Sequence, residues 1–297
     1  MKTNVFVLLF IISLSVHAQN NFDLVGLKSR AEAGDVNAQS NLGVYYYSVQ
    51  NYSEAIKWLF KAIEQGDVDS KITLGFCYEG GKGVTKDVYK ALKLYQEAAL
   101  QGNAYGQFYL GGLYLFGDNK VKDYKAAREW LFKSAENGNI PALYYMGVIY
   151  EYGYGVSQNI DEAIKWYILA AEKGEVNAQY QLGYLYDEGG KIPQDYPEAA
   201  KWFHEAALQG NVNAQYFLGT YYLLGRGVPK DYAESREWFL KAAEKGNDTS
   251  QFALGSIYEN GYGVLADLSE AIKWYRKAAT NGNVFAKKAL DRLGENY

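Results

Sequence analysis

The stretch Tyr150 to Tyr167 reads YEYGYGVSQNIDEAIKWY, in which a glycine-rich turn leads straight into a tryptophan-bearing helical pattern. Turns of this kind can wrap backbone N–H groups around a phosphate at a helix start. A phosphate cradle also needs a preceding strand and a basic residue at the helix start, and neither is visible here. The stretch Tyr258 to Tyr275, YENGYGVLADLSEAIKWY, says nearly the same thing 108 residues later. A binding loop is usually unique, whereas a structural joint repeats, so the turn reads as a joint.

Other reactive side chains are scarce. Beyond residue 18 the chain has one histidine, His204, and one cysteine, Cys77. That cannot supply the ligand set of a zinc site, and a single thiol cannot close an internal disulfide. No Ser-x-x-Lys run is present to support acylation chemistry. Paired acids for glycoside chemistry should stand at unique positions, and nearly every acid here falls in a repeating column or on a solvated helix face. The sequence therefore predicts a protein that is not an enzyme, with no catalytic residues, no metal and no cofactor.

The columns come from a 36-residue period. Gly66, Gly102, Gly138, Gly174, Gly210, Gly246 and Gly282 keep that step, and so do Gly75, Gly111, Gly147, Gly183, Gly219 and Gly255. All six tryptophans, Trp58, Trp130, Trp166, Trp202, Trp238 and Trp274, share one phase, with Leu94 in the remaining slot. In one unit, Ala178, Leu182 and Tyr186 lie on one face of a helix, and Ala199, Trp202 and Ala206 on one face of a second. Gly210 suits a left-handed C-terminal cap and Asn211 the next N-cap. Each unit is thus two antiparallel helices that bury their apolar faces by stacking on neighbours. The tryptophans read as packing residues. The equivalents of His204 are Phe60, Gln96, Phe132, Ile168, Leu240 and Arg276, a mixture that suits a surface or rim position.

The pattern Ala-x3-Leu-Gly-x2-Tyr, Gly-x-Gly-Val, then Asp, Ala and Trp, closing on Ala-Ala-x2-Gly, resembles the Sel-1-like repeat, a relative of the tetratricopeptide repeat. The resemblance covers nearly all of the chain and implies an all-α, right-handed α-solenoid of antiparallel helix pairs. Seven repeats are expected at about 35–66, 67–102, 103–138, 139–174, 175–210, 211–246 and 247–282. Capping helices are expected at 19–34 and 283–297. The first repeat is short and lacks the glycine loop, while Asn119 and Lys191 replace the second loop glycine. Cysteine-rich secreted members of the family are linked to penicillin binding, and their paired cysteines are absent from this sequence.

Residues 1 to 18 place Lys2 before an apolar run from Val5 to Val16 and end on Val16-His17-Ala18, the order of a secretory signal peptide. Cleavage after Ala18 deepens the net charge of -4 by one. A mildly acidic chain without a basic stripe speaks against nucleic acid as a partner, and the apolar run is short for a membrane span. The expectation is an exported bacterial protein, periplasmic or secreted, monomeric, with no membrane span in the mature chain.

One column on the first helices stands about 160° from the buried leucine, and two others at about 200° and 140°. In tetratricopeptide-like superhelices the first helices line the concave groove, so the resemblance implies that these columns face a ligand. They supply the candidate groove residues Phe108, Tyr144, Tyr180, Tyr184, Tyr216, Phe252, Glu79, Glu151, Asp187 and Glu259. Packing of one first helix against the next is the alternative account of the aromatics. The expected function is a non-catalytic adaptor or scaffold binding a protein or peptide in its groove. A cell-wall-fragment binding or hydrolysing protein and a purely structural envelope component are the rivals.

Overall fold

The structure, a computed structural model, describes residues 23 to 296 and divides into two compact units, residues 1–159 and 160–297. The described residues form sixteen α-helices and no strands. In the first unit these are α1 (Leu24–Glu32), α2 (Val36–Ser48), α3 (Tyr52–Glu64), α4 (Val68–Gly80), α5 (Val88–Leu100), α6 (Ala104–Phe116), α7 (Tyr124–Glu136) and α8 (Ile140–Tyr152). In the second they are α9 (Ile160–Glu172), α10 (Val176–Glu188), α11 (Tyr196–Leu208), α12 (Val212–Leu224), α13 (Tyr232–Glu244), α14 (Asp248–Asn260), α15 (Leu268–Thr280) and α16 (Val284–Leu293). The expected signal peptide lies outside the described residues.

Side-chain caps and left-handed glycines set the ends of most described helices. Asn211 caps α12 by accepting from the Ala214 amide, and the preceding Gly210 turns the chain at φ 88°. Asp231 caps α13 by accepting from Ala233 and Glu234, while its own amide donates to the Tyr222 carbonyl across the loop. The helix start that a phosphate would need is thus filled by the chain's own carboxylate, and Asp87, Asp123, Asp195 and Asp267 do the same in their repeats.

Small residues set the distance between paired helices. A Cβ on Gly183 would fall 2.6 Å from the Phe203 ring, so only glycine lets α10 and α11 close to this spacing. Phe203 and Phe217 then stack at 4.6 Å within a core that holds Leu218, Tyr221 and Trp238. Trp58, Trp202, Trp238 and Trp274 are buried, whereas Trp130 and Trp166 are half-buried. Lysines lie flat over several of these rings, such as Lys241 at 3.8 Å from the Trp238 centroid. At the C-terminal end, Arg292 pairs with Glu259 and Arg276 with Glu295. The outer side of α16 is only partly polar, because Val284 and Phe285 are exposed.

A buried glutamine seam joins three successive helices. Gln179 donates to the Ala171 carbonyl of α9 and accepts from Gln209 at the end of α11. Gln39 with Gln65, Gln107 with Asn137, and Gln251 with Asn281 repeat this arrangement. At Gln215 the seam is broken, since the partner position holds Lys245, whose ammonium goes to the Gly210 carbonyl, and the Gln215 Oε1 is left without a donor. Lys245→Gln is expected to reach both acceptors, as Gln209 does with Gly174 and Gln179, and to stabilise the chain by about 1 kcal/mol. A urea titration reads this as a higher midpoint; an unmoved midpoint would show that the orphaned oxygen carries no cost.

Candidate functional site

The candidate groove residues separate into three groups. Phe108, 2% exposed, and Glu151, 1% exposed, are buried and present no surface to a ligand. Both depart from the expected groove position. Tyr144, Tyr180, Tyr216 and Phe252 are half-buried. Tyr180 meets Phe203 of its own second helix and Phe217 of the next first helix at 6.0 and 6.3 Å. Tyr216 lies against Phe217 and Phe239, and Phe252 against Tyr275 and Phe285. Tyr180, Tyr216 and Phe252 of this column therefore pack helix against helix. Only Tyr184, 37% exposed, opens to solvent in the full sense.

The reason lies in how a solenoid surrounds its first helices. Counting the buried leucine as the core direction assumes one packed face. Within each unit a first helix meets its own second helix and the preceding second helix, and side chains such as Tyr180 and Phe217 also meet across successive first helices, so positions far from that leucine still find neighbours.

The acidic column has a structural partner that the sequence reading missed. Glu79 accepts from the Tyr95 hydroxyl at 2.9 Å, Glu259 from Tyr275 at 2.7 Å, and Asp187 from Tyr221 at 2.5 Å. Tyr95, Tyr221 and Tyr275 are fully or nearly fully buried, and a buried phenol needs an acceptor. The carboxylates supply one at the helix edge, which accounts for acids among aromatics without a ligand.

Burial raises the Glu79 carboxyl above the usual range, with the Tyr95 hydrogen bond and the Lys86 charge pulling the other way. Burial also acts on Glu259, but hydrogen bonds from Tyr275 and Arg292 outweigh it and leave that carboxyl below the usual range. The two therefore have opposite linkage to folding. Folded Glu79 holds its proton more tightly than the unfolded chain does, so stability rises as pH falls through its folded value to the ordinary carboxylate range. Folded Glu259 holds its proton less tightly, so its contribution is present above that range and lost on acidification. Glu79→Gln keeps an acceptor for Tyr95 and is expected to raise stability at neutral pH by about 1 kcal/mol, while Glu259→Gln lowers it. Melts of both variants from neutral to acidic pH check this, and shifts of the same sign would overturn it.

Burial pushes the Cys77 thiol up to about 12, against a partial lowering by Lys82, so it holds almost no thiolate at neutral pH. His204 sits at a rim, with its ring 5.9 Å from that of Trp238 and its Nδ1 3.9 Å from Glu205. Among the described residues no group of histidine, cysteine or acid side chains is placed to hold a metal ion. No described helix is long and apolar enough to cross a membrane.

Stacked helix pairs with glycine joints and acid-capped second helices define a repeat scaffold. The Sel1 repeat matches residues 36–67, 72–103, 104–139, 140–175, 176–211, 212–247 and 249–283, and the chain belongs to this family. It is similar to c5321, a protective antigen of uropathogenic Escherichia coli with an SLR fold, at 36% identity and a TM-score of 0.78. That match covers 92% of this chain and 59% of the other. A Sel1 repeat protein from Oxalobacter formigenes is 35% identical with a TM-score of 0.76, covering 90% of this chain and 79% of its own. A 73-residue stretch is 38% identical to DAP3-binding cell death enhancer 1 of Mus musculus, covering 24% of this chain and 14% of that protein. The chain thus spans a small part of that curated relative and 59% of the antigen.

Proposed function

We propose that this Sel1 repeat scaffold is exported and works without chemistry of its own, as an adaptor that holds a protein or peptide partner on its first helices. The observation that carries the reading is the set of large apolar side chains left open there: Tyr105, Phe116, Tyr152 (55% exposed), Tyr184 and Leu224. Tyrosines of this kind give large contact area with few rotors to freeze and dominate interface energetics. Export rests on the order of charge, apolar run and small residues in positions 1 to 18.

The test begins with the intact mass of the protein recovered outside the cytoplasm, where cleavage after Ala18 is expected and full-length chain in the cytoplasm overturns export. A partner recovered with the purified protein is then titrated against Tyr152→Ala and Tyr184→Ala. A loss of about 1 to 3 kcal/mol in binding for at least one of them is expected. Unchanged affinity for both would sink the role of the first helices. Turnover of cell-wall fragments by the purified chain would overturn the non-catalytic part.

A further inference from the structure

Two joints between paired helices depart from the pattern of the others, and the one after α6 opens a cavity. In four joints, the residue after the first loop glycine covers the tyrosine that opens the preceding second helix. Tyr154 stacks on Tyr124 at 5.0 Å and Tyr262 on Tyr232 at 5.4 Å, while Lys82 lies over Tyr52 at 5.6 Å and Arg226 over Tyr196 at 5.5 Å. After α6 both members change: the loop residue is Asp118, and the residue that opens α5 is Val88. Gly117 there has φ -64° and ψ 178° in place of the left-handed turn, and Asn119 replaces the second glycine. The joint after α10 also lacks a ring pair, with Gly190 facing the position of Ile160 in the repeat pattern.

Where the ring is missing after α6 there is a cavity of about 240 Å³. Its walls are Tyr47, Phe76, Leu113 and Phe116, and Val88 lines the side where a tyrosine stands in other repeats. That volume is below the usual range for a whole small-molecule ligand and suits a single large side chain. Lys82 and Lys86 stand at the same cavity. Lys82 donates to the Tyr47 hydroxyl at 3.1 Å, and neither ammonium belongs to an ion pair among the described residues. Two carboxylates also line the cavity: Glu79, engaged by Tyr95, and Asp118, which is exposed.

We propose that this cavity takes an aromatic side chain from an acidic segment of the partner, the ring lying against Val88 and Phe116 and a neighbouring carboxylate meeting Lys82 and Lys86. The incoming ring stands where the rings of Tyr124 and Tyr232 stand in their own repeats, so the partner completes a joint that the chain leaves open. An aromatic anchor in a pocket supplies most of the contact energy, and charge-assisted bonds to the two ammoniums set its orientation. The proposal rests on the partner-binding reading above and adds to it one site and one kind of anchor.

The experiment uses the full chain with labelled valine and leucine methyls and two probes, the blocked dipeptides N-acetyl-Tyr-Glu-amide and N-acetyl-Ala-Glu-amide. The tyrosine probe is expected to shift Val88 and Leu113 saturably, and the alanine probe to bind at least ~10-fold more weakly. Val88→Tyr restores the ring of the other repeats and is expected to close the cavity, with a similar loss of binding. Lys86→Glu, at an exposed position, should weaken the tyrosine probe about fivefold and serves as the deciding variant if Val88→Tyr does not fold. Equal binding of the two probes, shifts confined to other methyls, or full affinity in Lys86→Glu overturns the proposal. A recovered partner that binds Val88→Tyr as tightly as wild type also overturns it, while leaving the adaptor reading standing.

Discussion

Gly227→Ala is expected to destabilise the chain by about 3 kcal/mol or more, although it adds a single methyl group to a surface loop. Two costs combine. Gly227 sits at φ 66°, where an L-residue pays about 1 kcal/mol against its Cβ. The new Cβ would also lie 2.2 Å from the Tyr196 carbonyl oxygen and 2.6 Å from the Pro197 nitrogen, both backbone atoms that cannot swing aside. The loop must lift, and with it the lid that Arg226 makes over Tyr196. Stability in a repeat array is close to a sum of unit and nearest-neighbour terms, so the lesion should appear as a separate early transition in urea. Hydrogen exchange would place that transition in α11 to α13. A midpoint within error of wild type would show that the joint has room that the backbone contacts deny.

Trp238→Ala is expected to cost about 3 to 5 kcal/mol, the usual loss on emptying a large aromatic site in a core. Trp238 is 5% exposed, packs in the cluster with Phe203, Leu218 and Tyr221, and carries Lys241 on one ring face. Its indole Nε1 finds no acceptor in the structure. Trp238→Phe gives up some volume but also removes that buried, unpaired N–H, so it should lose much less than the alanine variant. Equilibrium unfolding of the pair separates ring volume from the indole N–H. If both variants fell equally, the nitrogen would have to be doing something the fold does not show.

Helix pairs, joints and caps were legible because each rests on a local rule repeated many times. One glycine proves little, but Gly210 and its equivalents at every period specify a left-handed turn, and Asn211 after it specifies a helix start. The direction of the aromatic column was not legible from one helix alone. Tyr180 stands away from Leu182, yet the neighbour that buries half of it, Phe217, belongs to the next repeat. The role of the acids was written in the sequence as a pairing between columns. Glutamate stands at 79 and 259 where tyrosine stands sixteen residues on, whereas Asp187 has Phe203 at that spacing and takes its hydroxyl from Tyr221 of the next repeat. Leucine at 115 and 223 goes with Leu131 and Phe239, which have no hydroxyl to satisfy. The open cavity had a signal of the same kind, Val88 and Asp118 together breaking two columns at one joint.

The glutamine seam bears on how a gene for such a protein can change length. Each Gln bonds only to the helix before it and the helix after it, through a carbonyl and an amide that recur in other copies. Unequal crossing-over between two copies that carry both partners adds or deletes one whole unit, and the glutamine at the new junction meets the same donor and acceptor as before, whereas the copies with Lys71 or Leu143 in its place stand outside the seam. Natural selection can therefore lengthen or shorten the array without first redesigning its interior. A position such as Lys245 marks where that interchangeability has begun to erode, because a unit carrying lysine there leaves a glutamine carbonyl unanswered.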